Sequence, residues 1–347
     1  PEAPHIYKVD GSYYLVLAEA GTFHDHAVTI ARAEDVRGPY QGNPRNPILT
    51  HRHLGLEQPI TNPGHADLID TPAGEWWMVA LASRPYGGYF YNLGRETFLT
   101  PIVWEEGWPV VNPGHGQIRM EEVAPNIEPH PWPSEPTCDH FDAEKLSDQW
   151  HFIRTPRNVF YSLSERPGFL RLQLRPERLE EICNPSFIGR PQRHINFAAR
   201  TAFEFAPKTE FESAGLVLLQ NNDNHFRFVI QGDQVHLIER RKGEEQILGS
   251  KALSSLSPQN TSRCNSVPRI YLKVEARGQE YSFYAASSPE SWESIAENTN
   301  GRVLSTQVAG GFVGAHIGLY ATSNGQQSEN AADFDYFEYT VLPSVLR

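Results

Sequence analysis

Apolar and polar residues alternate in short runs along most of the chain, and clusters of Gly, Pro, Asn and Asp interrupt those runs. A period of two places successive side chains on opposite faces of a strand, so the pattern predicts half-buried β-strands rather than helices. His5-Ile6-Tyr7-Lys8 and Tyr13-Tyr14-Leu15-Val16-Leu17 flank a Val9-Asp10-Gly11 turn and predict a hairpin. Further strands are expected at 26–31, 66–69 and 98–104, and at 76–82 after the Pro72-Ala73-Gly74 turn. The same grammar continues with longer strands at 169–174, 195–205, 215–220, 226–231, 234–239, 269–275, 281–286, 315–320 and 334–341, a spacing that suits a two-sheet sandwich. Helical periodicity is nearly absent, and one short turn is expected at 289–296.

Between these two stretches Pro125, Pro129, Pro131, Pro133 and Pro136 remove backbone donors and fix φ, which forbids a helix and favours an extended connector. We therefore read residues 1–122 as one domain, 123–137 as a Pro-rich linker and 138–347 as a β-sandwich. The fold class is all-β. The 26 Gly and 27 Pro, with an aromatic content of 11%, agree with short strands joined by turns.

Charge narrows the partners. Thirty Lys and Arg against 42 Asp and Glu leave a net charge of −12, which argues against a surface built for phosphate backbones or anionic lipid. Nucleic acid is not an expected partner, and no apolar run is long enough to span a membrane. The chain opens on Pro1 rather than Met, with no leader pattern, which places the true N-terminus upstream; secreted and cytoplasmic residence both remain open. Cys138, Cys183 and Cys264 are too few and too irregularly spaced for a disulfide framework or a zinc knuckle. A glycosylation sequon occurs once, at Asn260-Thr261-Ser262. There is no Gly-rich phosphate loop, no G-x-S-x-G and no H-E-x-x-H.

Several collinear motifs point to one family. Glu2-Ala3-Pro4-His5-Ile6-Tyr7, Glu19-Ala20-Gly21-Thr22, His26-Ala27-Val28-Thr29-Ile30-Ala31-Arg32, Asn46-Pro47-Ile48-Leu49-Thr50, Gly64-His65-Ala66-Asp67-Leu68, Leu93-Gly94-Arg95-Glu96-Thr97 and Glu106-Gly107-Trp108-Pro109 occur in order. This run resembles glycoside hydrolase family 43, in its β-xylosidase and α-L-arabinofuranosidase branch. The second half, with Phe141-Asp142, Arg166-Pro167-Gly168-Phe169, Gly189-Arg190-Pro191-Gln192-Arg193-His194, Gly318-Leu319-Tyr320-Ala321-Thr322 and Asp333-Phe334-Asp335-Tyr336-Phe337, is similar to that branch's C-terminal sandwich of the concanavalin A type.

The resemblance implies the C-terminal part of a five-bladed β-propeller, followed by the sandwich, in an enzyme that cleaves glycosidic bonds with inversion. A four-stranded blade takes about 40–45 residues, so 1–122 is expected to hold about three blades. The other blades, with the base aspartate and an acid-tuning aspartate, are expected upstream or on a separate chain.

Inverting hydrolysis needs a protonated carboxyl to deliver a proton to the leaving oxygen and a carboxylate to activate water, about 6.5–9.5 Å apart. Glu2 matches the family's general acid. Arg95 matches the arginine that reaches sugar hydroxyls, a task suited to its fork of donors, and could instead pair with Glu96. His65 matches the pocket histidine, or is a satisfied structural one. Thr22 closes the Glu-x-Gly-Thr turn that lines the family pocket, with Ala20 where glycine is usual. In the sandwich, Phe312 and His316 match a segment whose aromatic side chain leans toward the sugar in this branch. Asp142 and Asp335, near the first and last strands, are candidates for a shared structural calcium ion. His24 with His26 and His51 with His53 could also be read as metal-ligand pairs, and Trp76, Trp77, Trp104 and Trp108 as sugar-stacking platforms or blade core. No organic cofactor is required. The substrate expected is a xylo-oligosaccharide or arabinoxylan fragment cut at its terminal xylose or arabinose. The alternative is an inactive fragment or non-catalytic carbohydrate-binding module on the same fold.

Overall fold

The computed structural model describes residues 1–256 and 267–343; Cys264 and the sequon at Asn260 lie outside the described residues. The chain divides into two compact units, 1–133 and 134–347.

The first unit is built from two antiparallel sheets. β1 (Glu2–Val9), β2 (Ser12–Glu19), β3 (Ala27–Ala33) and β4 (Gln41–Gly42) lie in that order, with β5 (Leu49–Thr50) also paired to β3. β6 (Thr61–Asp70), β7 (Trp76–Ser83), β8 (Glu96–Glu105) and β9 (Trp108–Val111) form the second sheet in sequence order. The expected hairpin is present, with Val9 opposite Ser12 and His5 opposite Val16. Two sheets stand where about three blades were expected. The reason is that long connections, 51–60, 84–95 and everything from 112 to 133, consume chain without adding strands.

Alternation builds the core of this unit. Val16, Val28, Ile30, Leu49, Ala66, Leu68, Met78, Ala80, Ile102 and Val111 pack together, each full-size aliphatic side chain contributing about 1.5–3 kcal/mol by leaving water. The tryptophans are part of this packing. Trp77 and Trp108 are buried, and Trp76 and Trp104 meet edge to face at 5.4 Å. Polar links join the two sheets: the Tyr7 hydroxyl donates to Asp67 and accepts from the Leu68 N–H, while His5 Nδ1 sits 2.7 Å from the same Asp67.

The second unit is a sandwich. One sheet runs Tyr161–Ser162, Leu170–Gln173, Ala331–Val341, Asn196–Glu204, Arg269–Arg277, Glu280–Ala286 and Glu293–Asn300, and Cys138–Asp139 also pairs with Ala331–Val341. The other runs His151–Phe152, Ser186–Pro191, His316–Thr322, Ser213–Asn221, Asn224–Gln231, Gln234–Arg241 and Glu244–Ala252. Inward residues, among them Phe197, Phe203, Leu216, Phe226, Phe228, Phe283, Phe334 and Phe337, fill the space between the sheets. The segment expected to make a helical turn at 289–296 instead enters strand Glu293–Asn300, because Ile295 and Ala296 pack on this core and the backbone pairs with Glu280–Ala286. Cys138 and Cys183 are free thiols. Among the described residues, no helix is long and apolar enough to cross a membrane.

Candidate functional site

Glu2 starts β1, opposite Ala18, where the ladder is interrupted by a bulge that puts Ala3 at φ +51°. Its side chain is exposed. A second irregularity lies in β6. The register shifts twice between Thr61 and Asp67, and Asn62 and His65 both adopt left-handed backbone, at φ +59° and +46°. Such residues cost about 1–3 kcal/mol each and persist only where their surroundings hold them.

What holds them is visible around Asn62. It is buried, its amide nitrogen donates to the Tyr91 hydroxyl at 3.3 Å, and its amide oxygen accepts from Tyr89. Burial raises the Tyr89 phenol above its usual pKa, so it remains a donor at neutral pH. Below Asn62 lies His26, fully buried at the entrance to β3, with Nδ1 3.0 Å from the Asn62 carbonyl oxygen. Its ring occupies the space above Gly64, where an added Cβ would come within 2.2–2.4 Å of three ring atoms.

Glu2, His65 and Arg95 all act electrostatically on His26. Burial is the main influence and lowers its pKa; the Asn62 carbonyl and Glu2 oppose that shift, and His65 and Arg95 reinforce it. The three residues expected to form a site from widely separated motifs thus all lie within electrostatic range of one buried imidazole. Arg95 and His65 are exposed, as groups that meet a ligand must be. Glu96, next to Arg95, takes two hydrogen bonds of 2.8 Å from Arg84, a clip that closes the 84–96 loop. Thr22 is half-buried in the turn that precedes His26, a turn stapled by the His26 N–H to the Phe23 carbonyl. Ala20 sits at φ +65°, so the usual glycine is replaced by alanine without a change to a right-handed backbone.

Phe312 and His316 belong to the second unit. Phe312 is 48% exposed and follows Gly310 and Gly311, both at positive φ; His316 is half-buried and shares a 3.2 Å contact between its Nε2 and His151 Nδ1. Burial, then the neighbouring His151, lower the His316 pKa. With Phe152, Phe187 and Leu219 the two histidines line a cleft of about 270 Å³.

Metal readings fare less well. His51 Nδ1 donates to the Ile60 carbonyl and its Nε2 accepts from the Ile118 N–H, so both ring nitrogens are spent on backbone, while His53 is exposed. His24 stacks edge to face on Tyr89. Asp335 accepts from Arg269 at 2.9 Å, and Asp142 is exposed near Gly168. Among the described residues, Glu180, His225 and Glu245 approach one another as metal ligands do, but Arg227 already bridges the two carboxylates and Arg240 also pairs with Glu245.

Asn62, Tyr89 and Tyr91 were not singled out as site residues from the sequence, and His26 entered there only as one of a possible metal-ligand pair. The one usable signal was Gly64 beside His65, a glycine whose missing side chain makes room for a ring 38 positions earlier.

Comparison with known proteins agrees with the resemblance. Residues 1–109 match the model of glycosyl hydrolases family 43, and residues 138–340 match the β-xylosidase C-terminal concanavalin A-like domain. A xylosidase/arabinosidase of Butyrivibrio fibrisolvens is 41% identical over 340 residues, covering 97% of this chain and 64% of that protein. A non-reducing end α-L-arabinofuranosidase of Bacteroides ovatus is 38% identical, covering 99% of this chain and 63% of that protein. Among solved structures, the Bacteroides ovatus xyloglucan-locus family 43 protein superposes with a TM-score of 0.90 at 35% identity, over 98% of this chain and 66% of that one. A xylan β-1,4-xylosidase of Bacillus halodurans gives 0.87 at 31%, over 97% and 64%. The 347 residues therefore span just under two thirds of the length of these relatives. Two propeller-type sheets and a concanavalin A-like sandwich, matched in order by both family models, make this chain a member of glycoside hydrolase family 43.

Proposed function

We propose that the protein removes terminal xylose or arabinofuranose units from xylan-derived oligosaccharides, with Glu2 as general acid and Arg95, His65 and Thr22 holding the sugar. The observation that carries this reading is that Glu2, His65 and Arg95 all lie within electrostatic range of the buried His26, at the irregular ends of two sheets. A carboxyl group able to give up a proton, a guanidinium fork and an imidazole suit a ligand rich in hydroxyls.

In this reading the reaction inverts the anomeric centre. Glu2 protonates the leaving oxygen while a second carboxylate draws a proton from the attacking water. That base comes from the part of the relatives' length that these residues do not span. No organic cofactor enters the scheme.

The test is Glu2→Gln in the full-length protein, assayed on xylobiose and on aryl xylosides and arabinofuranosides. Proton assistance contributes about 10²–10⁴-fold for a poor leaving group and much less for an activated one. Turnover of xylobiose should fall by that factor while an activated aryl glycoside is affected far less. Unchanged turnover of xylobiose would remove Glu2 from the role.

A further inference from the structure

We infer that His26 is a positioning residue of the proposed sugar site: seated on Gly64 and tied through Nδ1 to the Asn62 carbonyl, it fixes the left-handed backbone that carries His65. The inference rests on the functional reading above and adds to it a residue that touches no substrate.

The tautomer follows from chemistry. A carbonyl oxygen only accepts, so Nδ1 carries the proton and donates to Asn62 at 3.0 Å. Nε2 is then a bare lone pair, buried and without a hydrogen-bond partner. A protonated ring would place a second positive charge near His65 and Arg95, with only Glu2 to compensate, and burial opposes it further. The ring is thus held in one protonation state and one orientation.

Sterics make the link to His65. The ring lies so close to the Gly64 Cα that no side chain fits there, and the next residue turns to φ +46°. Three further bonds hold these two segments: the Thr50 hydroxyl donates to the His26 carbonyl, and Asn62 accepts from Tyr89 and donates to Tyr91. His26 is the element common to the turn that carries Thr22 and the bulge that carries His65. Moving its ring therefore moves two of the groups assigned to the sugar.

Three variants separate positioning from simple stability. His26→Phe keeps a flat ring but loses the Nδ1 donor; Gly64→Ala keeps both partners but displaces the ring; His26→Asn restores a donor near the Nδ1 position. In the protein as it exists, ring proton and carbon resonances of His65, assigned by comparison with His65→Gln, report its surroundings. They should shift in His26→Phe and Gly64→Ala and return toward wild type in His26→Asn. With an aryl xyloside or arabinofuranoside, kcat/KM per folded molecule should fall about 10- to 100-fold in the first two variants, chiefly through KM, and recover in the third.

His65 resonances that stay in place in a folded His26→Phe protein would overturn the inference. So would a loss of stability with unchanged KM. If the wild-type protein hydrolyses neither glycoside, the functional reading fails, while the resonance measurement still decides whether His26 positions His65.

Discussion

The buried His225 makes the sandwich acid-labile in a way that can be measured separately from every other group. It lies at the start of strand Asn224–Gln231, wholly inaccessible, with Nδ1 3.3 Å from the Asn221 carbonyl and Nε2 3.9 Å from Glu180. Burial first, and then the adjacent Arg227, hold its pKa down to about 4, against 6.5 for a free imidazole; Arg240 acts in the same direction and Glu180 against it. Because the unfolded chain binds the proton more tightly, stability is complete above about pH 7 and is lost as pH falls from 6.5 toward 4. The loss works out at about 2 kcal/mol by pH 5 and about 3 kcal/mol by pH 4. A domain holds only about 5–15 kcal/mol in total, so this is a large fraction. Glu180, whose carboxyl is held below its ordinary value by Arg227 against the effect of burial, adds a loss in the same direction, but only below its unfolded value of 4.5. Within this pair, the change between pH 6.5 and 4.5 therefore comes from His225. Native-state hydrogen exchange of the amides of Ser213–Asn221 reports opening of this unit alone. His225→Asn can still donate to Asn221 but cannot take up a proton. The stability gap between wild type and variant should shrink by about 2 kcal/mol between pH 7.5 and pH 5. A gap that stays constant would refute the reasoning, whatever the absolute stabilities are.

Other consequences follow from single positions. Gly318→Ala would bring a methyl group to 2.3 Å from the Ile188 carbonyl and 2.5 Å from the Gly189 Cα, both backbone, and should cost about 3 kcal/mol or more in urea unfolding. Arg190 stacks 4.4 Å from the Trp150 ring and lies 3.2 Å from Asp139, so Arg190→Lys, which keeps the charge but loses the planar stack, should cost about 1–2 kcal/mol in the same assay. Ala20→Gly relieves left-handed strain of about 1–2 kcal/mol and gives back about 0.4–1 kcal/mol through the freer unfolded chain. A net gain of up to about 1 kcal/mol in the first unit is expected, and a net loss would show that the Ala20 methyl makes a packing contact worth more than the strain.

The sequence made the strands legible wherever one face is buried and the other wet. Residues 269–275 show clean alternation, while Tyr13 to Leu17 is apolar throughout and alternates only in burial; both lie inside observed strands. Strands escaped notice where that contrast fails. Ser186–Pro191 is buried on nearly every residue and ends in Gly-Arg-Pro, and Glu244–Ala252 is a polar edge with Ile247 exposed. Glu2, His65 and Arg95 were readable because each sits in a contiguous motif. Their common neighbour was not, because the contact between His26 and Gly64 depends on a missing side chain and on two bulges, neither of which leaves a periodic trace. The number of sheets in the first unit was misjudged for a related reason: loop length is invisible to a rule that counts residues per blade.

Strand Ala331–Val341 has a place in the sandwich that bears on how the molecule comes into being. It sits inside its sheet, with Asn196–Glu204 along one side and both Cys138–Asp139 and Leu170–Gln173 along the other. A strand that follows its partners at long range in the chain is therefore a keystone. Until it emerges, the two halves of the sheet present unpaired edges and the rings of Phe203 and Phe197 lack Phe334 and Tyr339 to stack on. Closure of this unit must wait for a strand made well after Cys138–Asp139, Leu170–Gln173 and Asn196–Glu204, so the nascent protein passes through a stage with open edges that invites pairing with a second copy.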